Sequence, residues 1–338
     1  MQGKNILLCV SGGISAYKAI DLASRLCKQG FEVKCVLSEN ATKFVSPLNF
    51  SAITHNSVHT SLFTDADPIP HITLATWADL LIVAPVTANI LAKAANGIAD
   101  DLLSTILVAY DKPVLFVPAM NVKMYHSAIV QENIERLLER GHYILQPATG
   151  KLACGTEGEG KYPPNEEIIY ATQTYLNYTL DLKGIKVLIN AGATVEAIDP
   201  MRFLSNRSSG KMGLAIARAL ALRGAEVTLL YGNLQVELPY NIQDKVFCES
   251  ADTMFRETIK RYPEMDWIIC CAAVADYKPK EINTQKLPKL SQLNLELIST
   301  PDILFELGKL KKENQRLIGF AAQSDNLIRS ALDKYYRK

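Results

Sequence analysis

The sequence predicts an α/β protein of two domains, each built on a parallel sheet covered by helices on both faces. Three observations carry this. The chain has 338 residues, which is about two domains at ~150 residues each. Unbroken apolar runs of strand length alternate with amphipathic stretches of helical period, the pattern of strands buried on both faces. The strand–turn–helix–strand opening of the first half also returns in the second. Hydrophobic residues make up 48% and charged residues 21%, which argues against disorder, collagen and coiled coil. Thirty-six Lys+Arg against 35 Asp+Glu leave a charge of +1, so no electrostatic footprint points to nucleic acid. No apolar run approaches the ~20 residues that would span a bilayer. The N-terminal MQGKNILLCVSGG reads as a buried strand entering a Gly pair, not as a targeting leader.

In chain order, Asn5–Val10 is an apolar strand that runs into Ser11-Gly12-Gly13. Ala16–Gln29 follows as a helix, with Ala19, Ile20, Ala23 and Leu26 on one face and Gly30 ending it. Phe31–Leu37 is the returning strand, completing a βαβ unit. Asp79–Ala84 and Pro113–Pro118 add two more strands. The Gly-rich stretch 150–164 reads as a flap, because a helix follows it over Glu166–Tyr178. The domain boundary is expected near Asp181, giving domains 1–180 and 181–338. The second half repeats the plan with strand Lys186–Asn190, helix Lys211–Arg223 ended by Gly224, and strand Ala225–Leu230. Strands Trp267–Ala272 and Arg316–Phe320 complete it. Both halves are thus expected to be Rossmann-like. In such sheets ligands collect beyond the carboxyl ends of the strands, so the loops after Val10, Ala84, Pro118, Asn190 and Ala273 are where chemistry is sought.

Seven cysteines with no CxxC pair do not read as a disulfide framework or a zinc site, and a reducing cytoplasm fits them best. Most sit in apolar runs as small core residues; Cys154 lies instead in the Gly-rich flap. Ser11-Gly12-Gly13-Ile14-Ser15 joins a strand to a helix, where free N–H groups suit a phosphate, although a plain tight turn needs the same residues. Asn206-Arg-Ser-Ser-Gly-Lys-Met-Gly213 offers hydroxyls, glycine backbone and Lys211 at a helix start. It is not a Walker A loop, since Met212 stands where Ser or Thr would follow Gly-Lys; the bland alternative is a helix cap with two exposed serines. Asn89 and Asn121 each follow a strand end and read either as ligand-orienting amides or as turn formers. His71 and the other four histidines show no metal-ligand spacing, and Lys286 and Lys289 lie in a polar loop.

Taken together these blocks resemble the bifunctional coenzyme A biosynthesis proteins, a phosphopantothenoylcysteine decarboxylase fused to a phosphopantothenate–cysteine ligase. The first half carries SGGISAYK at 11–18, HITLATWAD at 71–79, APVTAN at 84–89, NGIADDLL at 96–103, PAMNVKM at 118–124 and ACGTEGEGK at 153–161. The second carries AGATVEAIDPMRFLSNRSSGKMG at 191–213, AAVADY at 272–277, PDIL at 301–304 and GFAAQ at 319–323.

The resemblance implies FMN in the first half, its phosphate at Gly12, Gly13 and Ile14, with Ser38, Thr87, Ala88, Asn89 and Ala119 holding the rest. It makes His71 an active-site histidine, Asn121 the holder of the substrate carboxylate and Cys154 a proton donor, a role open to a thiol whose ordinary pKa is ~8.5. A carboxylate beside an amide nitrogen has no electron sink for CO₂ loss. Flavin oxidation of the cysteinyl side chain would create one, and re-reduction would make the whole redox-neutral.

For the second half the resemblance implies CTP activation of phosphopantothenate as an acyl-cytidylate, then displacement of CMP by cysteine. Ala272, Asp276, Pro301, Asp302, Ile303, Leu304, Phe320, Lys334 and Lys338 would bind the nucleotide. Lys286 would serve acyl-cytidylate formation and Asn206 its turnover, with Arg202 nearby. Mg²⁺ is expected with the triphosphate, its protein ligands unassigned. The implied partners are these small molecules, with no nucleic acid or membrane, and a homo-oligomer: a trimer-based flavin half with His71 near a subunit contact, and a dimer-forming ligase half.

Three departures stand out. The family's K-x-K-K loop is Lys286-Leu287-Pro288-Lys289 here, one cation fewer. The arginine that usually ends the flap is Lys161, without the bidentate fork. The second half looks shortened at its C-terminus relative to the family. Two alternatives follow: a decarboxylase with an impaired ligase, and an FMN-binding regulatory subunit, against which His71, Asn121 and Cys154 together argue.

Overall fold

The structure, a computed structural model, describes residues 3–63, 68–153, 155–177, 180–239, 242, 244–289 and 291–320. The chain divides into two compact units, residues 1–177 and 178–338.

The first unit is built on a six-stranded sheet of β1 (Asn5–Val10), β2 (Glu32–Leu37), β3 (Val58–His59), β4 (Leu80–Val86), β5 (Val114–Pro118) and β6 (Tyr143–Ile144). Their order is β3-β2-β1-β4-β5-β6, and every pairing is parallel. The central strands read as continuous apolar runs because both of their faces are covered: Ile6, Leu7, Leu8, Cys9 and Val10 are all fully buried. Helices α1 (Ala16–Lys28), α2 (Pro47–Thr54), α3 (Pro70–Trp77), α4 (Ala88–Asn96), α5 (Leu102–Ala109), α6 (Val122–Tyr125), α7 (Ala128–Glu139) and α8 (Asn165–Asn177) supply the cover. On α1 the buried positions Ala16, Ala19, Leu22, Ala23 and Leu26 recur at helical spacing, and each buried leucine contributes about 1.5–3 kcal/mol by its removal from water. One face of the sheet shares its core with α3, α4, α5 and α7 through Leu74, Leu91, Ile106 and Leu137. The strand order reverses between β1 and β4, the switch point at which such sheets open a crevice. After β6 the chain makes an antiparallel hairpin, β7 (Ala148–Lys151) and β8 (Glu157–Lys161), which begins two residues before the stretch read as a flap and lies otherwise within it.

The second unit holds β9 (Lys186–Ala191), β10 (Val195–Ala197), β11 (Phe203–Ser205), β12 (Glu226–Tyr231), β13 (Asp244–Phe247), β14 (Trp267–Cys270), β15 (Tyr277–Pro279), β16 (Leu297–Ser299) and β17 (Arg316–Gly319). Five of these form a parallel sheet in the order β13-β12-β9-β14-β17. Helices α9 (Lys211–Leu222), α10 (Ala251–Arg261) and α11 (Ile303–Leu310) pack against it. One core gathers Val187, Ile189, Leu214, Ala217 and Leu229, and the other gathers Leu188, Leu230, Met254, Ile268 and Leu307. Two small antiparallel pairs, β10–β11 and β15–β16, stand outside the sheet. The four strands Asn5–Val10, Lys186–Asn190, Trp267–Ala272 and Arg316–Phe320 and the helix Ala16–Gln29 expected from pattern all form, with shifts of three residues or fewer at their ends.

Two candidate active sites at the strand ends

In the first unit a cavity of about 670 Å³ opens at the β1/β4 switch point. Three strand-end loops and the hairpin build it. Gly12, Gly13 and Ile14 come from the turn after β1, Thr87 and Ala88 from the start of α4, and Ala119 and Asn121 from the loop after β5; all seven line the cavity. Ser11 holds the first two loops together. It is fully buried, its Oγ donates to the Pro85 carbonyl at 2.8 Å and accepts from the Thr87 N–H at 3.0 Å. Gly12 is needed for packing as well as for access, because a Cβ there would lie 2.4 Å from the Asn40 Cβ. Ser15, at the N-cap of α1, makes no side-chain capping bond, although the Ala16 and Lys18 N–H groups bond the Gly13 and Ser15 carbonyls at 2.9 and 3.0 Å.

The hairpin forms the opposite wall. The Met120 N–H donates to the Gly160 carbonyl at 2.9 Å, tying β8 to the residue before Asn121. Lys151, Leu152, Ala153, Lys161 and Tyr162 face the cavity, as do Tyr17 and Lys18 from α1. Lys18, Lys151 and Lys161 make this an anion-seeking cavity. Burial, and then the charge of Lys161, hold the Lys18 ammonium below the usual lysine range. The Tyr162 hydroxyl is buried without a hydrogen-bond partner among the described residues, and burial pushes its phenol far up. Ile14, Ala88, Ala119, Met120 and Met124 add the apolar surface that a planar ring requires. Asn121 plays both parts foreseen for it: it caps α6, its Oδ1 accepting from the Lys123 N–H at 2.8 Å, and it lines the cavity.

Three expected residues do not line this cavity. Ser38 is a half-buried turn former whose N–H donates to the Val10 carbonyl and whose Oγ accepts from the Ala41 N–H. Asn89 is exposed in the first turn of α4. His71, on the first turn of α3, does not line the cavity, and its buried Nδ1 has no partner among the described residues. Cys154 lies outside the described residues.

In the second unit a cavity of about 650 Å³ lies beyond the ends of β9, β14 and β17. Ala272, Asp276, Pro301, Asp302, Ile303, Leu304 and Phe320 line it, together with Asn206. Asn190, at the end of β9, shapes its floor: Oδ1 accepts from the N–H groups of Cys271 and Ala272 at 2.7 and 2.8 Å. The Asn206 amide donates to the Val274 carbonyl at 2.9 Å, and Asp302 caps α11 by accepting from the Phe305 N–H at 3.1 Å. A neighbouring cavity of about 590 Å³ takes in Phe203, Ser205, Ser208 and Ser209 and shares Asn206 and Arg207 with the first. Gly210 is the N-cap of α9 and has no side chain to cap it; Ser208 Oγ accepts from the Gly210 N–H at 3.3 Å, and both Ser208 and Ser209 line the cavity. Lys286 is exposed and lines neither cavity. Lys334 and Lys338 lie outside the described residues.

Sequence reasoning passed over Asn190, Arg207, Thr300 and Tyr162. Asn190 did leave a signal, a polar residue closing an otherwise apolar strand. Tyr162 left none, since a tyrosine after a glycine-rich stretch reads equally well as surface.

Residues 1–177 match the Flavoprotein family, and residues 182–338 match the DNA/pantothenate metabolism flavoprotein C-terminal domain. Among curated relatives, the coenzyme A biosynthesis bifunctional protein CoaBC of Bacillus subtilis is 43% identical over 343 residues, covering all of this chain and 84% of the relative. The protein of the same name from Haemophilus influenzae is 42% identical and covered to 85%, and that from Escherichia coli is 39% identical and covered to 84%. With both halves matched in order and the whole chain aligned, this protein belongs to the CoaBC family of bifunctional coenzyme A biosynthesis proteins.

Proposed function

We propose that the chain performs two consecutive steps of coenzyme A biosynthesis. Residues 181–338 would join cysteine to 4'-phosphopantothenate at the expense of CTP. Residues 1–180 would decarboxylate the phosphopantothenoylcysteine so formed to 4'-phosphopantetheine. The observation that carries this is the pair of strand-end cavities, one cationic with an apolar wall, the other polar and edged by the Pro301–Leu304 turn.

The first cavity fits FMN. The uncapped start of α1 and the Gly12–Gly13 turn suit its phosphate, and the Ala88, Ala119 and Met120 surfaces suit its ring. Bound FMN supplies two-electron redox chemistry for the substrate's thiol-bearing carbon. The protein's part is placement. Asn121 holds the carboxylate, and Lys18 and Lys161 neutralise anionic substrate groups. The hairpin, fixed to the Asn121 loop through Met120 and Gly160, closes over the site and excludes water. Cys154 would supply the proton to the product carbon, a role that rests on its position in the ACGTEGEGK motif.

In the second cavity the phosphopantothenate carboxylate attacks the α-phosphorus of CTP and pyrophosphate leaves. The cysteine amine then attacks the acyl carbon, and CMP leaves. Arg207 and backbone N–H groups face the phosphates, while Asp276 and Asp302 suit ribose hydroxyls or a hydrated Mg²⁺. Asn206 would polarise the acyl oxygen during aminolysis, and Lys286 would act in acyl-cytidylate formation. The setting we propose is a reducing cytoplasm, consistent with the free cysteines among the described residues. We further propose a homo-oligomer in which His71, flanked by exposed Ile69 and Ile72, meets a second copy in a trimer of flavin halves, while the ligase halves pair as dimers.

The deciding assay incubates the protein with phosphopantothenate, CTP, cysteine and Mg²⁺ and follows CMP and CO₂ together. Both products are expected, with a yellow protein that releases FMN on denaturation. CO₂ from supplied phosphopantothenoylcysteine without any CMP would leave only the decarboxylase. A colourless protein that cannot be reconstituted and yields neither product would overturn the proposal.

A further inference from the structure

The loop that carries Lys286 runs from β15 to β16 and is exposed through most of its length. It is nevertheless pinned near its tip. The Leu287 N–H donates to Asp199 Oδ2 at 3.1 Å, and the Leu287 carbonyl accepts from Arg202 Nη2 at 2.6 Å. Both backbone polar groups of the residue next to Lys286 are therefore held by one ion pair. That pair is itself built into a turn. Asp199 Oδ1 accepts from the Met201 and Arg202 N–H groups at 2.8 Å each, and Arg202 Nε donates to Oδ2 at 2.8 Å. The Asp199 side chain is fully shielded from solvent. A third bond, from the Asn283 N–H to the Ile198 carbonyl at 3.0 Å, fastens the loop's near side to the same turn. Pro288 adds stiffness, since the residue before a proline is confined to extended conformations.

The turn is not a neutral anchor. Arg202 leads directly into β11 (Phe203–Ser205), and β11 delivers Asn206 to the nucleotide cavity. Ser205 Oγ donates to the Thr194 carbonyl at 2.7 Å, which fixes that delivery.

We infer that Asp199 and Arg202 are positioning residues of the ligase that lock the Lys286 loop to the strand presenting Asn206. This rests on the proposed ligase reading. Arg202 then acts through Leu287 and Asp199, with no direct hold on the nucleotide. Burial alone would raise the Asp199 carboxyl, but the N–H groups of Met201 and Leu287 and the Arg202 guanidinium outweigh it and hold it well below the usual carboxylate range. The lock therefore stays ionised across the neutral range.

The test separates the two half-reactions in the full-length enzyme: CTP- and phosphopantothenate-dependent pyrophosphate release, and then cysteine-dependent CMP release. In Asp199→Ala the first half-reaction should slow on the order of 100-fold, as expected for a misplaced reacting group. KM for CTP should stay within about twofold, because Asp199 touches no nucleotide-cavity residue. Amide exchange over residues 283–289 should quicken. Lys286→Gln should show the same kinetic defect, and the double variant Asp199→Ala/Lys286→Gln should lose little more than either single one. Arg202→Lys keeps a charge beside Asp199 but loses the planar fork, and should show an intermediate loss. It decides the matter if Asp199→Ala does not fold. A folded Asp199→Ala or Arg202→Lys with wild-type pyrophosphate release, beside an inactive Lys286→Gln, would overturn the inference while leaving the ligase reading intact. Losses that multiply in the double variant would overturn it as well. Wild-type turnover in Lys286→Gln would instead remove the reading on which it rests.

Discussion

Replacing Gly160 with alanine tests whether the hairpin must stay bonded to the Asn121 loop. Gly160 sits at φ +135°, a region that side-chain-bearing residues adopt at a cost of about 1–3 kcal/mol. An added Cβ would also lie 2.3 Å from the Met120 carbonyl oxygen, a distance no real Cβ tolerates. The backbone must therefore separate, and the Met120–Gly160 hydrogen bond goes with it, worth about 0.5–1.5 kcal/mol net. The penalty of about 2–4 kcal/mol falls on this local junction. It raises the population of detached hairpin roughly 30- to several-hundred-fold, at 1.4 kcal/mol per factor of ten. Native-state hydrogen exchange at the Met120 amide reports the detachment directly, and CO₂ release from phosphopantothenoylcysteine reports its consequence. Both should change together: faster exchange, and decarboxylation reduced at least tenfold while CMP formation persists. Wild-type protection at Met120 with full decarboxylation would refute the claim that this junction organises the site.

Three further outcomes are expected. Ser11→Ala removes the oxygen that accepts from the half-buried Thr87 N–H, a bond worth about 0.5–1.5 kcal/mol net; flavin fluorescence titration should show FMN affinity reduced severalfold, and unchanged affinity would remove Ser11 from the site's support. Lys161→Arg restores a bidentate fork and should lower KM for phosphopantothenoylcysteine severalfold with kcat little changed; a raised KM would mean that the cavity is shaped around lysine. For Lys18 the folded state favours the neutral amine, so stability linked to this group rises as pH climbs through its depressed pKa, while its hold on an anion weakens over the same interval. Substrate KM should therefore climb with pH below the ordinary lysine value of ~10.4, and Lys161→Gln, by removing one of the two causes, should move that limb upward; a limb that does not move would show that Lys161 leaves Lys18 unaffected.

The sheets and their order of elements were legible because burial on both faces forces continuous apolar strands, and Gly30 and Gly224 punctuate the helices between them. The strand-end loops were legible for the same reason: once Asn5–Val10 and Lys186–Asn190 are strands, Gly12, Asn121, Asn206 and the Pro301–Leu304 turn must gather beyond their ends. The short pairs β10–β11 and β15–β16 were not, because three-residue strands are too short to show a periodicity. Nor could pattern show that Ser38, Asn89 and His71 are not among the residues lining the cavity, or that Lys286 lines neither cavity of the second unit. Side-chain direction at a loop is set by packing, as when Ser38 Oγ turns toward the Ala41 N–H.

The sequence by itself determined two parallel-sheet domains, the family and the loops where chemistry collects, since these follow from local composition and short spacings. Only the tertiary structure decided which partners meet across long stretches of chain: Ser11 with Pro85, Gly160 with Met120, and Asp199 and Arg202 with Leu287. Such pairings depend on how the elements close upon one another, and no local pattern encodes that closure.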